Sequence, residues 1–108
     1  AMTTFDDREQ AFEKKFAHDA EVQFKVEARA RNRLCLWAAN QMGKTGDEAV
    51  EYAKAVLQEW MKPGGKGAVE RIMDDITASG AAVTEAQVKA QYAELLTETK
   101  AQVMQEEG

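Results

Sequence analysis

The chain has one cysteine, Cys35, and one histidine, His18. One chain therefore cannot close a disulfide or assemble a zinc site from Cys and His. The lone thiol is expected to be buried and reduced, as in a cytoplasmic protein. Ser79 is the only serine and has no histidine near it in sequence, so a serine nucleophile with its base is hard to build. No apolar run approaches the roughly 18 to 20 residues of a membrane span, and no signal-peptide core follows the N-terminus, where Ala1 ahead of Met2 reads as a cloning remnant. Basic charge is also short: the net charge is −5 and the pI near 4.9, so no nucleic-acid partner is expected. The 19 carboxylates are spread along the chain, and no pair sits inside a long apolar run that would raise one pKa for acid catalysis. No cofactor or metal is expected, and no enzymatic activity.

What is present favours helix. With 108 residues, 44% hydrophobic and 31% charged, and a single proline, the chain is expected to form one all-α domain. No Gly or Pro occurs before Gly43, so a first helix starting at Thr4, with Thr4 as its cap and Asp6 and Asp7 at the positive end of its dipole, can run for about ten turns.

Three of the four phenylalanines lie early in this helix. At about 100° per residue, Phe5, Phe12 and Phe16 fall within roughly 20° of one line. Phe24, Ala28, Cys35 and Met42 cluster roughly 100 to 140° further round, and Val22, Val26, Ala30 and Trp37 lie almost opposite them. The second half of the helix thus has two apolar sides, as a central bundle helix would, whereas the first half has one narrow stripe. Either a kink near Ala17 to Ala20 realigns the stripes onto one core, or the three Phe form a surface for a partner.

Gly43 ends this helix, and Thr45 with Glu48 has the spacing of a capping box for a second helix carrying Ala49, Tyr52, Ala53, Val56, Leu57 and Trp60 on one face. Pro63-Gly64-Gly65 marks a loop. A third helix carries Val69, Ile72, Met73 and Ile76 and stops at Gly80, and its start at Lys66-Gly67 lacks a side-chain cap. Thr84 and Gln87 form another capping box, ahead of a face made by Val88, Tyr92, Leu95, Leu96, Thr99 and Val103. Residues 105–108 are expected to be disordered. Short connections make the later helices antiparallel neighbours in a four-helix bundle.

Gly43-Lys44-Thr45 matches only the end of a phosphate-binding loop: Ala38 stands where the first glycine belongs, and a helix precedes it instead of a strand. A weak contact of ATP or ADP with Lys44, Thr45 and nearby amides is the most it suggests, beside a plain turn. His18 reads as a solvated residue or a pH sensor. Arg29, Arg31 and Arg33 either lay their stems beside the core and pair with acids such as Glu27, or dock an acidic partner. Met42, Met61, Met73 and Met104 read as core filler.

The run from Met2 to Asp19, with Glu27-Ala28-Arg29, Leu34, Leu36-Trp37-Ala38-Ala39, Gly43 and Gly46, resembles the alphaproteobacterial F1-ATPase zeta subunit family. The resemblance spans nearly the whole chain and is most specific at the N-terminus. It implies a four-helix regulatory protein that inhibits ATP hydrolysis and rotation by F1-ATPase. Residues 1–19 would be an inhibitory arm, mobile in the free protein, that becomes helical as it inserts at a catalytic α/β interface beside the γ subunit; residues 20–108 would be the bundle. Phe5, Phe12 and Phe16 would anchor the arm, and Arg8, Glu9, Glu13, Lys14 and Lys15 would set its register. A monomer when free, held to the membrane only through the ATP synthase, is implied. Ala30, Cys35 and Lys66-Gly67 depart from the family pattern. A nucleotide sensor and a generic helical adaptor are the competing readings.

Overall fold

The computed structural model describes residues 4–107, and within them the side chains of all but 4–6, 12 and 16. Four helices follow one another: α1 (Thr4–Gln41), α2 (Gly46–Met61), α3 (Ala68–Ser79) and α4 (Glu85–Glu107). No strand occurs among the described residues. The all-α four-helix architecture expected from composition and periodicity is the one observed.

The ends of the helices follow local chemistry. At the end of α1, Gly43 takes φ +82°, which a residue with a Cβ rarely adopts. The Lys44 amide then donates to the Ala39 carbonyl at 2.9 Å and the Gly43 amide to Asn40 at 3.1 Å, satisfying carbonyls left open at the terminus. Gly80 closes α3 in the left-handed region, as expected. Ser79 belongs to the same cap: its Oγ donates to the Ile76 carbonyl at 2.7 Å and accepts from the Ala81 amide at 3.2 Å. The Thr84 box ahead of α4 forms in both directions, with the Gln87 amide donating to Thr84 Oγ1 at 3.2 Å and the Thr84 amide to Gln87 Oε1 at 2.9 Å.

Two terminal expectations fail. Thr45 has the extended backbone of an N-cap but makes no side-chain cap bond, and Glu48 instead accepts from Lys44 Nζ at 3.3 Å. Residues 105–107 are not disordered: α4 continues to Glu107, because the two terminal glutamates meet cations of α1. The capping role given to Thr4 lies outside the described side chains.

The core is Leu34, Cys35 and Ala38 of α1, Ala53 and Val56 of α2, Ala68, Ile72 and Ile76 of α3, and Val88 of α4, with Trp37, Tyr52, Leu57, Trp60, Tyr92 and Leu95 packed around it. Trp60 and Tyr92 meet edge to face, with ring centroids 6.4 Å apart. Ala30 is completely buried, so the small side chain there lets the helices approach closely. The Tyr52 hydroxyl donates to Asp75 Oδ2 at 2.7 Å, Arg71 Nε donates to the same oxygen at 2.8 Å, and Arg71 also pairs with Glu59. These contacts tie α2 to α3, antiparallel.

The helices differ greatly in length, and that positions the site. α1 has 38 residues, about 57 Å at a helical rise, against 16 for α2, 12 for α3 and 23 for α4. The molecule measures 66 × 31 × 27 Å, so α1 runs along its long axis and outreaches its neighbours. Near the end of α2, the ring of Trp60 lies 4.3 Å beneath the Arg31 guanidinium. α4 reaches further, and Glu107 at its end meets His18. Ahead of His18 lies about 21 Å of further helix.

Candidate protein-binding site

The two halves of α1 have different surroundings. Val26, Ala30, Leu34, Cys35, Ala38 and Ala39 are buried, whereas every described side chain from Asp7 to Glu21 is exposed. α1 is continuous through Ala17 to Ala20, so no break in the helix separates the halves. Of the residues assigned to partner binding, Arg8, Glu9, Glu13, Lys14 and Lys15 lie on the exposed segment. The Phe5, Phe12 and Phe16 side chains lie outside the described residues.

A charged clasp marks the boundary between the halves. Lys25 Nζ donates to Glu107 Oε1 at 2.8 Å, and the Arg29 guanidinium grips Glu106 through two bonds of 2.6 and 2.8 Å. His18 Nε2 stands 3.7 Å from Glu107 Oε2, with His18 itself half exposed. Hydrogen bonding to Arg29 holds the Glu106 carboxyl below the usual range, and hydrogen bonding to Lys25 does the same for Glu107. Val22, Val26 and Met104 floor a shallow cleft of about 280 Å³ between α1 and α4, rimmed by His18, Lys100 and Glu107.

The arginine run faces its own bundle and does not form a free docking patch. Arg29 is in the clasp, Arg31 covers Trp60 and lies 3.7 Å from Glu27, and Arg33 Nη1 donates to the buried Thr99 hydroxyl at 3.0 Å. Of the four methionines expected in the core, Met42 and Met73 pack on it, but Met61 is 81% exposed and Met104 about half exposed. These two stand at the far ends of α2 and α4, beyond the layer where all four helices meet.

Phe24 was also misplaced by the helical-wheel reading: it and Ala28 share a line with buried Cys35, yet Phe24 is 71% exposed and Ala28 is exposed. α2 and α3 are too short to reach that part of the line. One sequence signal was available. Phe24 lies in the same four-residue row as Phe12, Phe16 and Ala20, and within that row Ala20, Phe24 and Ala28 are exposed.

Lys44 and Thr45 are not brought to an enclosed phosphate site. Lys44 pairs with Glu48, and Thr45 is exposed. An open depression joins Lys44 to Met42, Tyr52, Arg71 and Asp75, where Arg71 is already held by two carboxylates. Burial pushes the Cys35 thiol up to about 11, so it stays protonated at neutral pH and is a poor nucleophile. No group of three or more potential metal ligands occurs among the described residues.

These features define a helical interaction protein: a small bundle holding one end of a long helix and presenting the other. The family description ATPase inhibitor subunit zeta matches residues 2–102, and the chain belongs to that family. It is accordingly a regulatory protein and not an enzyme, with an F1-ATPase as its partner. No curated protein and no solved structure matches the chain significantly.

Proposed function

We propose that residues 1–19 are an inhibitory arm and residues 20–108 the bundle that carries it, and that the arm inserts at a catalytic α/β interface of F1 beside the γ subunit. A helix lodged there keeps the interface from closing on nucleotide, which stops ATP hydrolysis and the rotation coupled to it. Phe5, Phe12 and Phe16 are the apolar anchors, and Arg8, Glu9, Glu13, Lys14 and Lys15 fix the register of the inserted helix. The protein acts as a monomer and reaches the membrane surface only through the ATP synthase; no helix among the described residues is long and apolar enough to cross a membrane.

The observation that carries this reading is the exposure of every described side chain from Asp7 to Glu21 on a helix whose other half is core. A single helix without tertiary packing is marginal in water. A partner cleft would supply that packing. Ordering such a segment costs conformational entropy, which a few large aromatic anchors offset most effectively.

The test is inhibition of cognate F1-ATPase by the full chain and by a chain lacking residues 1–19. The truncated chain should melt as cooperatively as the full one and leave ATP hydrolysis uninhibited. If it still inhibits, the arm is not the inhibitory element.

A further inference from the structure

Phe24 is 71% exposed, and its row neighbours Ala20 and Ala28 are exposed as well. An isolated exposed apolar residue is ordinary, so the surroundings of Phe24 have to carry the argument. The side of α1 turned to α4 is fixed by His18, Lys25, Arg29 and Arg33, all of which contact that helix. At about 100° per residue, Phe24 falls roughly 135° away from the middle of that side. Arg31, seven residues on and nearly in line with Phe24, is where α2 ends against Trp60. The bundle therefore stops two turns short of Phe24 on this side, and Met61, 81% exposed, ends α2 there.

The shape of the row is also specific. Ala20, Phe24 and Ala28 put one large side chain between two small ones at four-residue spacing, a ridge of the kind that packs into the groove of a second helix crossing at about 50°. The row continues towards the N-terminus through Phe16 and Phe12, two residues assigned above to the arm.

We infer that Phe24, flanked by Ala20 and Ala28, is a second anchor for the ATPase, packing on a surface helix of F1 at the mouth of the cleft that takes the arm. This rests on the inhibitory-arm reading for its partner. The α4 clasp fixes this part of α1 to the bundle, so the Phe24 contact sets how deeply the arm goes in and how the bundle sits against the head.

The experiment compares the full chain, Phe24→Ala, Phe24→Leu and the chain lacking residues 1–19 in inhibition of cognate F1-ATPase, with melting curves for each. A photocrosslinker is placed at position 24 in parallel. Phe24→Ala should melt at the same temperature as the parent and need about tenfold more protein for half-inhibition, with Phe24→Leu between the two; the crosslinker should capture an F1 subunit. Inhibition by Phe24→Ala at parental concentration, with the truncated chain inert, overturns the second anchor and leaves the arm standing. A truncated chain that still inhibits overturns the arm, and Phe24→Ala then decides this surface by itself. Crosslinking to a second copy of the chain, or a lowered melting temperature for Phe24→Ala, also overturns the proposal, since Phe24 would then serve self-association or the bundle.

Discussion

The two halves of α1 belong to one unbroken helix, yet the stretch from Val26 to Gln41 carries its core residues and every described side chain before Val22 is exposed. Charge is denser in the first, 9 of 18 residues from Thr4 to Glu21 against 4 of 16 from Val26 to Gln41, yet both carry apolar residues, so composition alone does not place the boundary. What separates them is the reach of the other helices. α2 ends near Arg31, α4 ends at His18, and α1 goes on alone. Burial along a helix is decided by its neighbours' lengths as much as by its own pattern, and a chain can keep one face for itself and give the next turns of the same helix to another protein.

The comparison breaks most directly at Leu34, which is fully buried among Cys35, Ala38 and the α2 and α3 core residues. Leu34→Ala removes packed methyl groups and leaves a cavity, and should destabilise the bundle by about 2–5 kcal/mol in denaturant unfolding. If the halves are independent, the residual folded fraction of this variant should inhibit F1 with parental affinity. A loss of affinity beyond the loss of folded protein would mean that the core half also takes part in binding.

A smaller effect is expected at the neighbouring residue, where the fully buried Thr99 accepts a hydrogen bond from Arg33 at 3.0 Å. Thr99→Val keeps the shape and loses the acceptor, which should cost about 0.5–1.5 kcal/mol in the same unfolding measurement. Arg33 is only half-buried and can turn to water, so the full penalty of a buried unpaired charge is not expected. Unchanged stability would mean that the Arg33–Thr99 bond adds nothing to the apolar contacts and the charged clasp that hold α4 to α1.

The parts of this fold legible in the sequence are those decided within a few residues. The buried faces of α2 and α3, the Gly80 cap and the reciprocal Thr84–Gln87 box all follow from local spacing. Thr45 and Glu48 have the same spacing and fail, because Gly46 takes φ +56° directly after the cap and Lys44 occupies Glu48. The exposure of Phe24 was not legible from its helical wheel, since it depends on where α2 ends in space. The order of the last turn was hidden for the same reason: Glu106 and Glu107 find their partners 77 and 82 residues away. For the site, Arg8, Glu9, Glu13, Lys14 and Lys15 are exposed on the projecting half, whereas the arginine run serves the bundle.

The smallest expected effect lies at the clasp, on the boundary itself. Glu106 and Glu107 have carboxyl pKa values lowered in the folded protein, through hydrogen bonds to Arg29 and Lys25 respectively. A lowered folded-state pKa means that the unfolded chain takes up protons first as pH falls. The clasp's contribution is therefore complete above the ordinary glutamate pKa of about 4.3 and is lost as pH drops through the lower folded values. All these groups are solvent-accessible, so the contribution to global stability is small. It should be visible locally: amide protection, taken relative to the intrinsic exchange rate at each pH, should fall in the last turn of α4 and around His18 to Arg29 below that range, while protection in the Leu34 region persists. The doubly substituted Glu106→Gln, Glu107→Gln chain should show the lower protection already at neutral pH and lose most of the acid-dependent change. If its last turn remains protected and still responds to acid, the pairs to Lys25 and Arg29 do not fix the end of α4, and the point where α1 leaves the bundle is set instead by the packing of Val22, Val26 and Met104.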